Sequence, residues 1–157
     1  MIHIRLAKLE ESKKILEILN VVSKTLKLKG INQWDYPWDE QQVLTSLRNK
    51  ECYVLLLEGE IIGTFCISDI DYINQLSVQR KSKYISQIAI TPNYQGINLG
   101  KEITSFACTL AEKCNQTLYL DCWAGNNKLK EFYIRNGFHY IGDFLEEDYY
   151  ISIFQYN

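Results

Sequence analysis

The sequence has no excess of charge of either sign. Seventeen Lys and Arg residues stand against nineteen Asp and Glu in 157 residues, a formal net charge of −2. A duplex-binding protein carries a basic excess or a basic stripe. Neither is present, which argues against nucleic acid as a partner. Long hydrophobic runs are missing too. The longest spans residues 52–57, far short of the roughly 20 residues a membrane helix needs. Residues 1–6 lack the apolar core of a signal peptide, so a cytoplasmic protein with no membrane partner is expected. Cys52, Cys66, Cys108, Cys114 and Cys122 include no C-x-x-C pair, and only His3 and His139 are there to join them. That spacing argues against a metal site. The cysteines read instead as small buried hydrophobes. There is no low-complexity stretch, repeat or long linker.

What is present is the composition of a globular domain, 46% apolar and 23% charged. A chain of this length buries roughly 70% of its unfolded surface when it folds. One domain over residues 1–157 is expected. Residues 2–6 read as a strand. Ile15, Ile18, Leu19, Val22 and Leu26 follow helical spacing, and Gly30 ends that helix. An aromatic loop with Trp34, Tyr36 and Trp38 leads to a short helix capped by Asp39. Residues 52–57 and 60–68 are strands around a Glu58-Gly59 hairpin. The polar stretch 69–82 reads as a loop, and residues 83–91 as a strand. A helix follows over residues 97–114, then a strand at 117–122 and a helix at 126–136 ended by Gly137. Strands at 138–142 and 149–156 flank the acidic turn Glu146-Glu147-Asp148. The order is βααβββαβαββ. The crossover rule makes the strands on either side of helix 97–114 parallel, while the hairpins are antiparallel. The fold class is a mixed α/β sheet with helices on both faces.

Chemistry concentrates where strand 83–91 enters the loop Thr91-Pro92-Asn93-Tyr94-Gln95-Gly96-Ile97-Asn98-Leu99-Gly100-Lys101. The first N–H groups of a helix lack internal partners, and the helix dipole adds positive potential there. Glycines let the backbone approach a bulky anion. The segment therefore suits a pyrophosphate, although for an isolated pair of glycines a turn and a close helix–strand contact is the commoner explanation. It is not a Walker A loop, which needs G-x-x-x-x-G-K-[ST]. It is not the dinucleotide fingerprint either, because the first strand of the chain is not followed by such a loop.

A second segment, Asn126 to Phe138, completes the pattern with Asn126, Tyr133, Gly137 and Phe138. Together the two segments resemble the GNAT family, the Gcn5-related N-acetyltransferases. That family's Gln/Arg-x-x-Gly-x-Gly/Ala loop is matched by Gln95, Asn98 and Gly100, with Asn98 standing where glycine is usual. Asn tolerates positive φ better than other non-glycine residues.

The resemblance implies acetyl-CoA as co-substrate, no metal, and transfer of the acetyl group to a primary amine of a small molecule or peptide. The attack is direct, in a ternary complex. It implies a mostly antiparallel sheet with a central splayed parallel pair. It places pantetheine beside the main chain of Ile88, Ala89 and Ile90, and the pyrophosphate on amides of Gln95, Gly96, Ile97, Asn98, Leu99, Gly100 and Lys101. Asn126 contacts the pantetheine arm or caps a helix, or does both. Tyr133 is the general acid for the thiolate, or a core ring beside Phe132. Trp34, Tyr36, Trp38, Tyr72 and residues near Tyr149 form the acceptor pocket, or pack the loop on the core. The acidic turn is a solvated turn or attracts a cation. Tyr84, Ser86, Gln87, Asp121, Asp35 and Asp39 lie near the reaction, and none is singled out as a base. The alternative is a catalytically silent acyl-CoA-binding module on the same fold. Pairing into a homodimer is expected by resemblance only.

Overall fold

Helices begin and end where local chemistry supplies caps. In the computed structural model, which describes residues 1–31, 34, 36–74 and 76–157 and only the backbone of residues 78–80, α1 spans Ser12–Leu28. It buries Ile15, Ile18, Leu19 and Val22 on one stripe. Gly30, at φ +77, ends it. The Gly30 N–H reaches the Lys27 carbonyl at 3.1 Å, and the Ile31 N–H reaches that of Leu26 at 3.0 Å. These paired bonds form a Schellman motif. Asp39 caps α2 (Glu40–Arg48), its carboxylate accepting the Gln41 N–H at 3.0 Å.

The remaining elements are β1 (Ile2–Leu6), β2 (Cys52–Leu57), β3 (Glu60–Ile73), β4 (Leu76–Ile90), α3 (Leu99–Lys113), β5 (Leu118–Trp123), α4 (Asn127–Arg135), β6 (His139–Glu146) and β7 (Tyr149–Tyr156). Their order is the expected βααβββαβαββ. Two spans differ from expectation. Residues 69–82 belong largely to strands, because β3 runs on to Ile73 and β4 starts at Leu76. Their polarity belongs to the solvent side of a long hairpin. Its other side supplies Ile70, Ile73 and Leu76 to a core. Likewise β6 extends through Glu146, leaving only Glu147 and Asp148 in the acidic turn.

Neighbouring strands follow the order β1-β2-β3-β4-β5-β7-β6. The β4–β5 pair is parallel, and β1–β2, β2–β3, β5–β7 and β6–β7 are antiparallel. The chain forms two compact units. Residues 1–67 with 87–103 make the first, and residues 68–86 with 104–157 the second.

In the first unit, α1 and α2 set their apolar stripes on Cys52, Val54 and Leu56 of β2, Cys66 of β3 and Ala89 of β4. Leu55 and Phe65 alternate to the opposite face and are fully buried as well. Both faces of this part of the sheet are therefore covered. In the second unit, Ile73, Tyr119, Ile151 and Ile153 form a core, with Tyr84, Phe144 and Tyr149 packed against it. Among the described residues, no helix is long and apolar enough to cross a membrane.

Candidate functional site

β4 leads into the site, and it is not a regular strand. Gln87 lies within it at φ +57, a left-handed conformation uncommon for a non-glycine residue. A residue of this kind bends a strand and re-aims the residues after it, as a bulge does. Just before it, the parallel ladder to β5 ends. Lys83 faces Leu118 and Tyr84 faces Tyr119, but the register does not continue at Ile85 or Ser86, although β5 runs on to Trp123. Ala89 is buried against α1 and α2. Its carbonyl lies 3.1 Å from where a Cβ on Gly63 would stand, so a larger residue there would crowd the β4 backbone.

After β4, Pro92–Tyr94 make one 3-10 turn. The Gln95 N–H donates to the Pro92 carbonyl at 3.3 Å, and its side chain turns back so that Nε2 donates to the Ile90 carbonyl at 2.8 Å. Gly96 has φ +86 and Asn98 φ +65. Asn98 thus takes the left-handed conformation that the usual glycine would supply. Its carbonyl accepts the Glu102 N–H at 3.3 Å as α3 begins. Leu99 is buried and anchors the loop, while Ile97 is exposed. Among the described residues, no acceptor is found for the N–H groups of Gly96, Ile97, Asn98 and Leu99. Donors of this kind at a helix start, with Lys101 exposed beside them, form an anion cradle. The cradle fits a pyrophosphate. Of the expected amide donors, that of Gln95 is engaged by Pro92.

In the second unit, α4 is locked at both ends. Asn126 caps it, its side-chain oxygen accepting the Leu129 N–H at 3.2 Å. The capping role is therefore real, and the side-chain amide nitrogen is left without a partner among the described residues. At the other end Gly137, at φ +91, donates to Ile134 at 3.2 Å, and Phe138 donates to the Tyr133 carbonyl at 3.1 Å. This is again a Schellman motif, with its usual apolar contact. The Phe138 ring lies 5.8 Å from that of Tyr133. The Gly137-Phe138 pair therefore fixes Tyr133, which also packs on Phe132 and Phe154. Burial raises the Tyr133 phenol above its ordinary value, and the Cys122 thiol and Asp121 carboxylate add to the rise. The hydroxyl makes no hydrogen bond among the described residues.

Asp121, on β5, accepts a hydrogen bond from the Tyr84 hydroxyl of β4 at 2.8 Å. Burial pushes the Asp121 carboxyl up to about 6. The Tyr84 bond opposes the shift, and Glu146 adds to it. Burial, followed by the Asp121 charge, lifts Tyr84 well above its ordinary value.

The aromatic loop is tied to α1. Trp38 Nε1 donates to Ser23 Oγ at 2.7 Å, its backbone N–H donates to Asn20 Oδ1 at 2.8 Å, and Trp34 stands edge-on to it at 5.5 Å. Both indoles pack against the core of the first unit. Tyr36 and Tyr72 are exposed, whereas Tyr149 packs in the second core. Asp39 is occupied as a helix cap, and Asp35 lies outside the described residues. Among the described residues, no three metal-ligating side chains cluster.

Two features escape sequence reasoning. The left-handed Gln87 leaves only a faint trace, the odd step from Ile85 to Ile88 in an otherwise alternating strand. The Tyr84–Asp121 bond joins residues 37 apart and leaves none.

A sequence model of the acetyltransferase (GNAT) family matches residues 18–138. No curated protein matches the chain. Among solved structures, a GNAT-family acetyltransferase from Listeria monocytogenes is similar at TM-score 0.79 with 22% identity, over 98% of this chain and 93% of that one. A GNAT-family acetyltransferase from Streptococcus agalactiae gives 0.82 with 17% identity, over 99% and 94%. The PaiA N-acetyltransferase from Thermoplasma acidophilum, in complex with coenzyme A, gives 0.75 with 16% identity, over 99% of each chain.

Proposed function

Because the chain belongs to the acetyltransferase (GNAT) family, we propose that it moves the acetyl group of acetyl-CoA to a primary amine of a small molecule or peptide, by direct attack in a ternary complex. Residues 1–157 act as one functional domain. The observation that carries this reading is the strand–loop–helix of residues 88–101, with left-handed backbone at Gly96 and Asn98 and, among the described residues, no acceptor for the N–H groups of Gly96 to Leu99. Coenzyme A as the ligand of the Thermoplasma acidophilum neighbour supports the same choice.

When bound, acetyl-CoA supplies the activated acetyl thioester. The N–H groups from Gly96 to Lys101 hold the pyrophosphate. Main-chain groups of Ile88, Ala89 and Ile90 align the pantetheine arm, and a strand N–H among them stabilises negative charge on the thioester oxygen. The Asn126 amide nitrogen, which the cap leaves over, contacts the same arm. Tyr133 donates to the departing sulfur. Burial keeps the phenol protonated, and the same burial raises the proton affinity of a thiolate, so the two remain matched. Tyr36, exposed beside the anchored Trp34 and Trp38, belongs to the acceptor side.

Calorimetric titration with acetyl-CoA, with coenzyme A as comparison and Gly100→Trp as control, tests the reading. Micromolar binding that the variant loses supports it. No binding by the unaltered protein refutes it.

A further inference from the structure

Two cysteines meet across the sheet of the first unit. Cys52 opens β2, Cys66 lies on β3, and the antiparallel register makes them direct partners. The neighbouring pair shows which kind of partners they are. The Ile67 N–H donates to the Glu51 carbonyl at 2.8 Å, so residues 51 and 67 form a hydrogen-bonded pair and residues 52 and 66, one step on, do not. The Cys52 carbonyl accordingly faces β1, where it accepts the Ala7 N–H at 2.9 Å. In a non-hydrogen-bonded pair the side chains stand closest, with Cα atoms roughly 4.5 Å apart. A disulfide spans Cα separations of roughly 4.4–6.8 Å. Both side chains are buried on the face that α1 and α2 cover, and both thiols are free.

The surroundings make the two sulfurs unequal. Thr64 Oγ1, two residues before Cys66, lies 3.4 Å from the Cys52 sulfur. The Cys66 thiol donates to Gln87 Oε1 at 3.4 Å, and it can turn to the Cys52 sulfur when that sulfur is ionised. The bond from Cys66 holds the Cys52 thiol below its ordinary value; burial opposes this and Thr64 assists it. The same contact, followed by burial, pushes the Cys66 thiol up. The thiolate is the nucleophile in sulfur oxidation, so Cys52 attacks and Cys66 keeps its proton for the step that resolves. The cover over the pair is thin. The nine residues of α2 bury only Val43 and Leu47, and half-buried Ser46 of the same helix reaches Cys66. A short helix with two apolar anchors opens locally at low cost, enough to admit a molecule the size of hydrogen peroxide.

We propose that Cys52 and Cys66 are a reversible redox site, closed to a disulfide by a hydroperoxide and reopened by a small thiol, and that closure releases Gln87 from β3. With hydrogen peroxide, the Cys52 thiolate attacks the O–O bond and becomes a sulfenic acid. The departing hydroxide takes up the proton that Cys52 gave away. The Cys66 sulfur then attacks the Cys52 sulfur, the S–S bond forms, and the S–O bond breaks as the hydroxyl leaves with the Cys66 proton. Two thiols and one peroxide become one disulfide and two waters, with two electrons passing from sulfur to oxygen. Cβ atoms of a cross-strand pair stand roughly 4.5–5.5 Å apart, against roughly 3.5–4.5 Å in a disulfide. Closure therefore draws β2 and β3 together and leaves a strained bond that a thiol opens readily. It also removes the proton that Cys66 offers Gln87 Oε1. Gln87 is the left-handed residue just before Ile88, so its release loosens the strand assigned to pantetheine. That last consequence rests on the acetyl-transfer reading above; the disulfide does not.

The test treats the full chain with hydrogen peroxide, with and without dithiothreitol afterwards. Free thiols are alkylated in denaturant and the peptides are mapped by mass spectrometry without reduction. The expected result is a Cys52–Cys66 crosslink, two hydrogen atoms lighter than the dithiol, that dithiothreitol removes. In Cys66→Ser the oxidation should stop at a Cys52 sulfenic acid that dimedone captures, and in Cys52→Ser the Cys66 thiol should stay free. Cys114, which is exposed, reports the peroxide dose. On closure, amide hydrogen exchange at residues 87–90 should quicken. Acetyl-CoA affinity by calorimetry should fall by about threefold or more, the scale of one lost hydrogen bond, and return with dithiothreitol. Free Cys52 and Cys66 thiols at a dose that consumes Cys114 overturn the inference. A crosslink that changes neither exchange at residues 87–90 nor affinity overturns the release of Gln87. If the reduced protein binds no acetyl-CoA, the acetyl-transfer reading falls, while the crosslink and the exchange rates still decide this inference.

Discussion

Replacing Asp121 with Asn should make the protein more stable at pH 7.5 and leave it unchanged near pH 4. The fold raises the Asp121 carboxyl from an ordinary 3.8 to about 6, so the native state binds this proton more tightly than the unfolded chain does. Where the native state holds the extra proton, stability falls as pH rises. The loss begins near the unfolded value, grows up to about pH 6, and is constant above it. At about 1.4 kcal/mol for each tenfold change in proton affinity, the full cost is about 3 kcal/mol, reduced by whatever solvation Oδ1 retains. Asn is nearly isosteric and still offers an oxygen to the Tyr84 hydroxyl, so the variant removes the charge and keeps the hydrogen bond. At roughly 2–4 °C per kcal/mol for a chain of this size, the melting temperature should rise by about 5–10 °C at pH 7.5. Thermal melts of both proteins at pH 4 and 7.5 provide the assay. A destabilised variant at both pH values, or a difference that does not vary with pH, would refute the reasoning.

Other substitutions separate scaffold from chemistry. Tyr133→Phe should lower turnover at least tenfold, on the scale of lost general acid catalysis. Because the hydroxyl has no protein partner among the described residues, acetyl-CoA affinity and melting temperature should hardly move, and calorimetry and melts check this. Asn98→Val places a β-branched residue at φ +65 and should cost about 1–3 kcal/mol of local strain, read as weaker acetyl-CoA binding. Asn98→Gly should bind at least as well as the unaltered protein. Asn126→Ala removes the α4 cap and should cost about 1 kcal/mol in urea unfolding. A fall in acetyl-CoA affinity beyond that would show that its amide nitrogen also touches the ligand.

Most of the architecture was legible because it rests on local rules. The stripe from Ile15 to Val22, the caps at Asp39 and Asn126, and the positive-φ glycines at 30, 59 and 137 each act within a few residues of themselves. The misread stretch, residues 69–82, failed for a related reason. Its polar residues line the outer side of a hairpin, and only the packing of Ile70, Ile73 and Leu76 against Tyr119, Ile151 and Ile153 shows that the other side is core. A strand with one wet face and few apolar residues looks like a loop until its partner is known.

The candidate site divides along the same line. By itself the sequence determined the glycine-bearing loop before α3, the left-handed tolerance of Asn98, and the Tyr133-to-Phe138 segment. The spacing Tyr-x-x-x-Gly-Phe is a helix ending whose hydrogen bonds and ring contact are set by residues at most five apart. Only the tertiary structure decided that Gln87 takes a left-handed backbone within β4 and that the ladder to β5 stops after two partner pairs. Only it joined Tyr84 to Asp121, and only it left that carboxylate half-buried with no ion-pair partner among the described residues. Proton affinity depends on what surrounds a group in three dimensions, through burial, neighbouring charge and the hydrogen bonds it accepts. None of these is set by nearness along the chain.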